Sequence, residues 1–444
     1  MTNKKIYADG AAGAIGKIHA FEKFGSILGL ERMNELMALL GNPQDKLKVL
    51  HVAGTNGKGS VCRYLYSVLQ ENGYRTGLYT SPFLEVFNER IELDGAYISD
   101  ADLTEYTDRV LKQVQRMVDA GKQSPTEFEV ITAIALLYFY EKGADYVVLE
   151  VGLGGRGDST NVCKAPLISV ITSISYDHTD RLGDTLAKIA WEKSGIIKDG
   201  CPVVTSAKAP EALEVIERTA AEHHALFFET RRIPYKIKEQ GLDGSCFDVD
   251  FQGVLFEDLR ISMVGAHQIE NAIAALAAIN LLEERGKVRI QKDKLYSGLQ
   301  KAKQIGRFEV LTAPDAKPVV LIDGAHNPDG AKVLRDAMKT FCPSRRILMV
   351  TGMLADKDTT GILRSFRDIT TDFIATEPVN PRSMTKETLK DALQAQGARC
   401  LALLEPKAAV EEALRRKEDY DVILFAGSLY LIGQIRGMLR EAVR

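Results

Sequence analysis

The feature that most constrains this chain is an apolar run that leads into a glycine-rich segment and then a helical pattern. The run is 47–53, and the segment is Gly54-Thr-Asn-Gly-Lys-Gly-Ser60. One face of the predicted helix is apolar, with Val61, Tyr64, Leu65, Val68 and Leu69. Backbone N–H groups and the positive dipole end at such a helix start bind phosphate. Lys58 can reach terminal phosphates and the Ser60 hydroxyl can bind Mg²⁺. The loop is shorter than usual, and Gly59 separates the lysine from the serine.

Short apolar runs alternate with helical patterns along the chain, which is typical of an α/β protein with parallel sheets. The predicted strands are 47–53, 146–151, 167–174, 319–323, 346–351, 372–375 and 421–426. Several of them end at Gly, Asp, His or Glu, and ligands bind at the carboxyl ends of strands in such sheets. Segment 231–259 alternates between apolar and polar residues with interspersed glycines, so a small antiparallel sheet is predicted there.

The length of 444 residues, with 45% hydrophobic and 26% charged residues, is enough for two or three domains. An Ala-rich helix is predicted over 268–284, and the charged stretch 283–294 follows it. We therefore place a domain boundary near Ser297. This gives an N-terminal domain of residues 1–297 and a C-terminal domain of residues 298–444.

Charge and cysteine usage exclude several classes of protein. The net charge of −3 gives no general attraction to nucleic acid or to an anionic membrane. The six cysteines are scattered without a Cys-x-x-Cys pair, so reduced thiols are expected rather than disulfides or a zinc site. The first ten residues lack an apolar signal core, and the longest apolar run, 130–140, is shorter than the roughly 20 residues of a membrane-spanning helix. We expect a cytoplasmic monomer that binds neither nucleic acid nor membrane.

A second glycine cluster, Gly152-Leu-Gly-Gly-Arg-Gly157, follows the predicted strand around Glu150. It matches the dinucleotide-binding pattern Gly-x-Gly-x-x-Gly, with Asp177 about 20 residues beyond it. That pattern must open a helix, whereas 158–166 contains turn formers, β-branched residues and a proline. We therefore predict a backbone loop that approaches a ligand, with Glu150 as a partner of Mg²⁺ or water.

His178 follows the third predicted strand. Gly54 and Glu150 follow or end other strands of the same predicted sheet, so a ligand-binding role is favoured for His178 over a structural one. The next helix is predicted to begin with Asp184 as N-cap and to end near Gly195. Position alone predicts that Lys193, within this helix, is a solvated surface lysine.

Polar residues also follow three predicted strands of the C-terminal domain. The segments are Asp323-Gly-Ala-His-Asn-Pro328, Thr351-Gly-Met-Leu-Ala-Asp-Lys-Asp358 and Ala426-Gly-Ser-Leu-Tyr430. Polar groups at three strand ends indicate a ligand site. Arg307 lies just beyond the predicted linker, where it is either a surface arginine or a positive charge for a nucleotide.

Together, these motifs resemble those of folylpolyglutamate synthases and, more broadly, of the Mur-type amide ligases. The segments that carry the resemblance span most of the chain: His51–Ser60, Thr80–Pro82, Asn88–Ile91, Leu149–Arg156 and Asp323–Pro328. The resemblance implies a P-loop parallel-sheet ATPase domain and a smaller, Rossmann-like α/β domain. It also implies that ATP phosphorylates a folate γ-carboxylate and that L-glutamate attacks the acyl phosphate, which gives folylpolyglutamate, ADP and phosphate.

The resemblance also implies roles for individual residues. The implied ATP contacts are Thr55, Asn56, Gly57, Lys58, Gly59, Ser60, Asn271, Arg307 and Asp323, and the implied Mg²⁺ ligands are Ser81, Glu150 and His178. The implied folate contacts are Thr126, Glu127, Phe128, Glu129, Gly157, Asp158 and Ser159, and the implied glutamate contacts are His326 and Ser428. Lys58, Lys193 and His326 would be catalytic. Lys193 falls where the family carries a carbamylated lysine, which reverses its interpretation as a surface residue.

Two departures from the family pattern and several alternatives accompany this prediction. Gly157-Asp-Ser159 replaces the usual Leu-Asp-Ala, and no proline precedes Gly306-Arg307. The enzyme could also make dihydrofolate from dihydropteroate and glutamate, or be another Mur-type amino-acid ligase. From the residues alone, a regulatory ATPase and a dinucleotide oxidoreductase stay open. Glutamate-dependent ADP release distinguishes a ligase from both.

Overall fold

The computed structural model describes residues 9–25 and 27–443, and in these residues the strands form sheets of eight, three and six members. The chain divides into two compact units. The first comprises 1–235, 249–256 and 270–302, and the second comprises 236–248, 257–269 and 303–444. Residues 1–8, which lie in the segment analysed for a signal core, are outside the described residues.

The large sheet of the first unit has β1 at its centre. Its strands are β1 (Val49–Ala53), β2 (Thr76–Tyr79), β3 (Ile91–Leu93), β4 (Ala96–Tyr97), β5 (Tyr146–Glu150), β6 (Ile168–Ile171), β7 (Val203–Thr205) and β8 (Phe227–Glu229), in the order β4-β3-β2-β5-β1-β6-β7-β8. β1 runs parallel to both of its neighbours, β5 and β6, whereas β3 and β4 are antiparallel additions at one edge. Every residue of β1 and β5 is buried, as their continuous apolar runs predict for a parallel sheet.

Ten helices lie before, between and after the strands of this sheet in the described part of the sequence. They are α1 (Asp9–His19), α2 (Glu31–Leu39), α3 (Lys58–Glu71), α4 (Asp100–Asp119), α5 (Glu127–Glu141), α6 (Thr179–Leu182), α7 (Leu186–Ser194), α8 (Pro210–Glu222), α9 (Ala266–Glu284) and α10 (Lys292–Lys301). Ser297, where we placed the boundary, lies inside α10. The predicted N-cap Asp184 was wrong by one residue, because the Thr185 hydroxyl accepts the Lys188 N–H at 3.2 Å. Asp184 instead pairs with the Lys188 ammonium at 2.8 Å.

The segment predicted to form a small antiparallel sheet contains three consecutive strands. They are β9 (Tyr235–Gly241), β10 (Gly244–Phe251) and β11 (Val254–Ile261), and β10 is the middle strand. Each connection has two residues, which is the length of a tight hairpin between antiparallel strands.

The second unit contains the six-stranded sheet, and all neighbours except β12 and β13 are parallel. Its strands are β12 (Glu309–Val310), β13 (Val319–Asp323), β14 (Ile347–Thr351), β15 (Asp372–Thr376), β16 (Arg399–Leu404) and β17 (Val422–Ala426), in the order β12-β13-β17-β14-β15-β16. Its helices are α11 (Pro328–Phe341), α12 (Thr359–Arg367), α13 (Lys386–Ala395), α14 (Pro406–Arg415) and α15 (Leu429–Ala442). The predicted α/β fold class is confirmed, and all seven predicted strands are present.

The structure also bears on the cysteines and on membrane-spanning helices. The six cysteines are free, as predicted, and five of them are buried. In the described part of the chain, no helix is both long enough and apolar enough to cross a bilayer.

Candidate active site

The loop between β1 and α3 requires glycine at two positions. Gly54 and Gly57 have φ values of +146° and +93°, where side chains are strained. A Cβ atom on Gly54 would collide with Thr172, and one on Gly57 would lie 2.6 Å from Asn271 Oδ1. Asn271, on α9, therefore lies directly against the loop. Because α3 begins at Lys58, the first N–H groups of that helix lack partners within it and can bind an anion.

Hydrogen bonds hold this loop against the segment that follows β6. The Thr55 N–H donates to Ser173 O at 2.7 Å, and the Thr55 hydroxyl donates to Ser175 O at 3.1 Å. The Thr172 hydroxyl donates to Asn56 O at 2.7 Å. These bonds also explain why β6 ends at Ile171, earlier than predicted, since the chain leaves the sheet to bind the loop. Thr55 and Asn56 shape the loop whatever else they contact.

Two lysine ammonium groups converge on one carbonyl oxygen of the loop. Lys58 Nζ donates to Gly54 O at 3.0 Å, and Lys193 Nζ donates to the same oxygen at 2.9 Å. The sequence-only interpretation of Lys193 as a surface residue was wrong, because it is only 5% exposed. Burial, followed by the charge of Lys58, lowers the pKa of Lys193 from its ordinary value to about 7. A neutral amine is therefore accessible near neutral pH.

The second glycine cluster packs against the end of α7, which carries Lys193. The Arg156 N–H donates to Glu192 O at 2.8 Å. A Cβ atom on Gly155 would lie 2.8 Å from both Glu192 O and Lys193 O, and one on Gly195 would collide with Arg156. The cluster does not open an α-helix, as predicted, because a short 3₁₀ turn over Ser159–Val162 follows it. Its small residues allow backbone to approach backbone beside the buried lysine.

Two of the three candidate Mg²⁺ ligands are brought together. Glu150 is the last residue of β5, is 6% exposed and accepts the Ser81 N–H at 3.3 Å. Glu150 is level with Val52 of β1, so it lies at the strand edge where the phosphate loop begins. His178 has φ +49° and follows β6, the other neighbour of β1, with a half-exposed side chain. The Glu150 carboxylate and the Ser81 hydroxyl are oxygen donors of the kind that Mg²⁺ prefers.

A residue that our sequence reasoning left without a role, Glu89, fixes the loop after Ser81. Its carboxylate accepts three successive backbone N–H groups, from Leu84 at 2.7 Å and from Glu85 and Val86 at 2.9 Å each. Glu89 belongs to the segment Asn88–Ile91, which contributed to the resemblance. A carboxylate that accepts several N–H groups orders backbone without touching a ligand.

The polar folate candidates on α5 form a buried cap. Thr126 is the N-cap of α5, and the Glu129 carboxylate accepts the Thr126 N–H at 2.7 Å. Glu129 also pairs with Arg32 at 3.1 Å, with both side chains buried. In contrast, Glu127 is partly exposed and lies 3.3 Å from His19 Nδ1. Thr126 and Glu129 thus begin the helix, and Glu127 presents the accessible carboxylate.

The other folate candidates lie next to α5. Phe128 faces Gly152 so closely that a Cβ atom there would collide with its ring. The Asp158 carboxylate accepts the N–H groups of Leu153 at 2.8 Å and Thr160 at 3.0 Å, and burial raises its pKa. Ser159 bonds through its hydroxyl to Thr132 of α5 at 2.8 Å, and Gly157 O accepts the Gly29 N–H. The two predicted segments therefore meet, although most of their polar side chains bond to protein.

In the second unit, three polar strand ends lie side by side. Ala426 at the end of β17 is level with Asp323 of β13 and with Thr351 of β14. His326 Nδ1 lies 2.7 Å from Gly324 O, so it carries the proton and the ring orientation is fixed. The Ser428 hydroxyl accepts the Tyr430 N–H at 3.1 Å and caps α15, and Ser428 is 2% exposed.

The two carboxylate oxygens of Asp323 bind backbone. They accept the N–H groups of Phe308 and Ala325, each at 2.7 Å, and burial raises the pKa of the carboxyl. Arg307 donates to Gly324 O at 3.3 Å. The predicted nucleotide contacts Arg307 and Asp323 are therefore neighbours in this unit.

Family models identify the class of protein that these features define. A model of the Mur ligase middle domain matches residues 52–279, and one of the Mur ligase glutamate ligase domain matches residues 306–429. The first match includes the phosphate loop, and the second includes the three strand ends. The chain is a Mur-type ligase.

Comparisons along the whole chain narrow the class further. The dihydrofolate synthase/folylpolyglutamate synthase of Bacillus subtilis is 39% identical over 425 residues, which cover 95% of this chain and 97% of the relative. The crystal structure of folylpolyglutamate synthase from Thermotoga maritima matches with a TM-score of 0.85 and 35% identity, covering 98% of each chain. Folylpolyglutamate synthase of Mycobacterium tuberculosis, complexed with ADP, matches with a TM-score of 0.88 and 29% identity, covering 97% of this chain and 99% of the other. This chain belongs to the folylpolyglutamate synthase family, as its motifs predicted.

Proposed function

We propose that this protein is an ATP-dependent ligase that joins the amine of L-glutamate to the γ-carboxylate of a tetrahydrofolate. The observation that carries the proposal is the convergence of Lys58 and Lys193 on Gly54 O, in a loop that leads into the N-terminus of α3. The names of the relatives, and the ADP bound to one of them, support this function.

The proposed reaction has two steps. A folate carboxylate oxygen attacks the γ-phosphorus of ATP, which forms an acyl phosphate and breaks the bond to ADP. The glutamate amine then attacks the acyl carbon, an amide bond forms, phosphate leaves and the amine loses a proton. Phosphoryl transfer depends chiefly on positioned charge, which is why a lysine in the loop matters.

In this proposal the phosphate loop holds ATP. Lys58 and the N–H groups of Gly57, Gly59 and Ser60 bind the phosphates, and Asn271 contacts the nucleotide from its place beside Gly57. We assign Arg307 and Asp323 to the nucleotide as well. Asp323 can still accept a bond there, because each carboxylate oxygen has two lone pairs and the structure assigns one bond to each.

Ser81, Glu150 and His178 are the residues that would hold Mg²⁺. When bound, Mg²⁺ neutralises charge on the transferring phosphates. Glu89 supports this role by fixing the backbone after Ser81.

We further propose that Lys193 carries a carbamate, formed when its neutral amine attacks CO₂, a C–N bond forms and one proton is released. The unmodified lysine is buried next to Lys58, and repulsion between the two cations helps to lower its pKa to about 7. A carbamate anion would turn that repulsion into attraction and could bind a metal ion. Burial therefore favours the neutral amine that reacts with CO₂, and the nearby Lys58 cation favours the anionic product.

We assign folate to the segment where Phe128 faces Gly152, with Glu127 as the accessible carboxylate. Glutamate is assigned to His326 and Ser428, at adjacent strand ends of the second unit. Relatives from Bacillus subtilis and Escherichia coli are dihydrofolate synthase/folylpolyglutamate synthases, so a second activity on dihydropteroate is the favoured alternative.

ADP release measured with tetrahydrofolate and with dihydropteroate, each with and without L-glutamate, tests the proposal. A folylpolyglutamate synthase releases ADP in a glutamate-dependent manner with tetrahydrofolate, and a bifunctional enzyme also does so with dihydropteroate. If the rate of ADP release is the same with and without glutamate, the protein is not this ligase, and a regulatory ATPase is favoured. If another amino acid supports faster turnover than glutamate, the chain is a different Mur-type ligase.

A further inference from the structure

Arg307 sits in a backbone turn that is built from two unusual conformations. Gly306 has φ +69° and Phe308 has φ +39°, so both neighbours of Arg307 are in the left-handed region. Phenylalanine rarely adopts this region, and it persists only where surrounding contacts enforce it. The position of Arg307 therefore depends on whatever fixes Gly306 and Phe308.

Two carboxylates fix this turn from either side. Glu309 accepts the Gly306 N–H at 2.8 Å, and Asp323 accepts the Phe308 N–H at 2.7 Å. The Gly306 carbonyl is held as well, because it accepts the Gly324 N–H at 2.8 Å. Asp323 belonged to our predicted nucleotide contacts, but sequence reasoning gave Glu309 no role.

Glu309 is in turn held by Arg436 of α15, 127 residues later in the chain. Arg436 Nε lies 2.9 Å from one Glu309 carboxylate oxygen, and Nη2 lies 2.7 Å from the other. The two side chains are 8% and 19% exposed, so the pair is largely out of water. A bidentate guanidinium fixes the plane of a carboxylate, which lysine cannot do.

We propose that Arg436 and Glu309 are positioning residues for Arg307 in the ligase reaction. This inference rests on the proposed role of Arg307 in nucleotide binding. Arg436 orients the Glu309 carboxylate, Glu309 holds the Gly306 N–H, and the turn directs the Arg307 guanidinium. Loss of the guanidinium fork frees the carboxylate to rotate, so Arg307 loses its fixed direction and the affinity for ATP falls.

The primary variant is Arg436→Lys, which keeps the charge and removes the fork. We expect the KM for ATP to rise on the order of tenfold, because small misplacements of a binding group are costly, while the KM for glutamate stays unchanged. Glu309→Gln is the second variant, since it keeps the shape and an acceptor for Gly306. It should raise the KM for ATP less than Arg436→Lys does.

The control is Arg399→Lys, which removes another arginine–carboxylate contact in the same sheet. Nε and Nη2 of Arg399 both bond to one carboxylate oxygen of Asp372, at 2.8 Å and 2.5 Å, where β15 pairs with β16, at the opposite end of the strand order from β12. A purely structural loss predicts that Arg436→Lys lowers the melting temperature but, like the control, leaves the KM for ATP unchanged. Equal KM values for ATP in Arg436→Lys, the control and the unaltered enzyme would overturn the inference.

Arg307→Ala, alone and combined with Arg436→Lys, separates this inference from the proposed function. If Arg436 acts through Arg307, the double variant has the same KM for ATP as Arg307→Ala alone, because coupled residues are not additive. An additional increase in the double variant would overturn the positioning role and leave the nucleotide role of Arg307 intact. An unchanged KM for ATP in Arg307→Ala itself would overturn both.

Discussion

The phosphate-loop edge of the first unit and the strand ends of the second use charged side chains in opposite ways. In the first unit, Lys58 and Lys193 are held by a backbone carbonyl oxygen, which leaves two cations close together. In the second, the carboxylates of Asp323 and Glu309 accept backbone N–H groups and fix a turn. The two lysines at the phosphate loop are arranged to meet an anion, whereas Asp323 and Glu309 are used to shape the backbone.

The difference shows in how each region is satisfied without a ligand. Burial of Lys193 next to another cation disfavours its charged form and therefore lowers its pKa. The partly buried Glu309, by comparison, already has a bidentate arginine partner. We infer that the lysine pair needs an anion to become favourable, whereas Glu309 already has its counter-charge in Arg436. Substitutions should therefore affect turnover most in the first region, and stability or one substrate constant in the second.

The largest expected effect is that of Lys58→Ala. Positioned charges that stabilise a transition state are worth about 2.7–4 kcal/mol, so we expect turnover to fall by roughly 10²–10³-fold or more at saturating ATP. The control is Lys188→Ala, which replaces a solvent-exposed lysine of α7 and should leave turnover normal. Near-normal turnover in Lys58→Ala, measured as ADP release, would remove the phosphate-loop assignment.

Substitution of Lys193 tests whether the second cation acts as a carbamate. Lys193→Arg should lose as much activity as Lys193→Ala, because arginine stays protonated and cannot take up CO₂. Lys188→Arg on the same helix should be harmless, as surface substitutions usually are. Acetate or bicarbonate added to Lys193→Ala should restore part of the activity by replacing the lost anion. An arginine variant with a near-normal rate contradicts the carbamate.

The fold of both units could be predicted because apolar runs and phosphate-loop chemistry are local signals. The strand–loop–helix unit at Gly54 and the strand ends at Glu150 and Asp323 are where the sequence indicated. The match of Gly152–Gly157 to a dinucleotide-binding motif could also be rejected from the sequence, since the β-branched residues and the proline after Gly157 disfavour the helix that such a motif requires.

The contacts that decide roles could not be predicted because they join residues far apart in the chain. Position on a helix indicated an exposed Lys193, but the loop at Gly155 packs over that helix end and buries it. The pair of Glu309 and Arg436 spans 127 residues and has no local pattern. Glu89 lies in the segment Asn88–Ile91 that carries part of the family resemblance, yet only the structure shows the three backbone N–H groups that donate to it. Charge type was visible in the sequence, and partners were not.

Gly155→Ala tests the first region by displacing Lys193 without changing any charged group. The added Cβ atom would lie 2.8 Å from the carbonyl oxygens of Glu192 and Lys193, so the loop and α7 must separate. Overpacking of this kind costs about 1–3 kcal/mol of stability, and activity should fall with it. Gly13→Ala on α1, where the added atom meets nothing within 4 Å, should be neutral or stabilising. If Gly155→Ala keeps both its melting temperature and its rate, this loop does not hold the buried lysine in place.

We expect the smallest effect from substitution of Ser428. This substitution tests whether Ser428 only caps a helix or also contacts glutamate. Ser428 is 2% exposed and caps α15 through the Tyr430 N–H, so Ser428→Ala should lower stability by about 1 kcal/mol. Ser428→Gly is the matched variant, because glycine at an N-cap costs only a few tenths of a kcal/mol. If Ser428 also contacts glutamate, both variants raise the KM for glutamate while their melting temperatures differ. If it is only a cap, the glycine variant keeps a normal KM for glutamate and nearly normal stability. The second outcome would remove Ser428 from the proposed glutamate contacts and leave His326 as the remaining candidate at these strand ends.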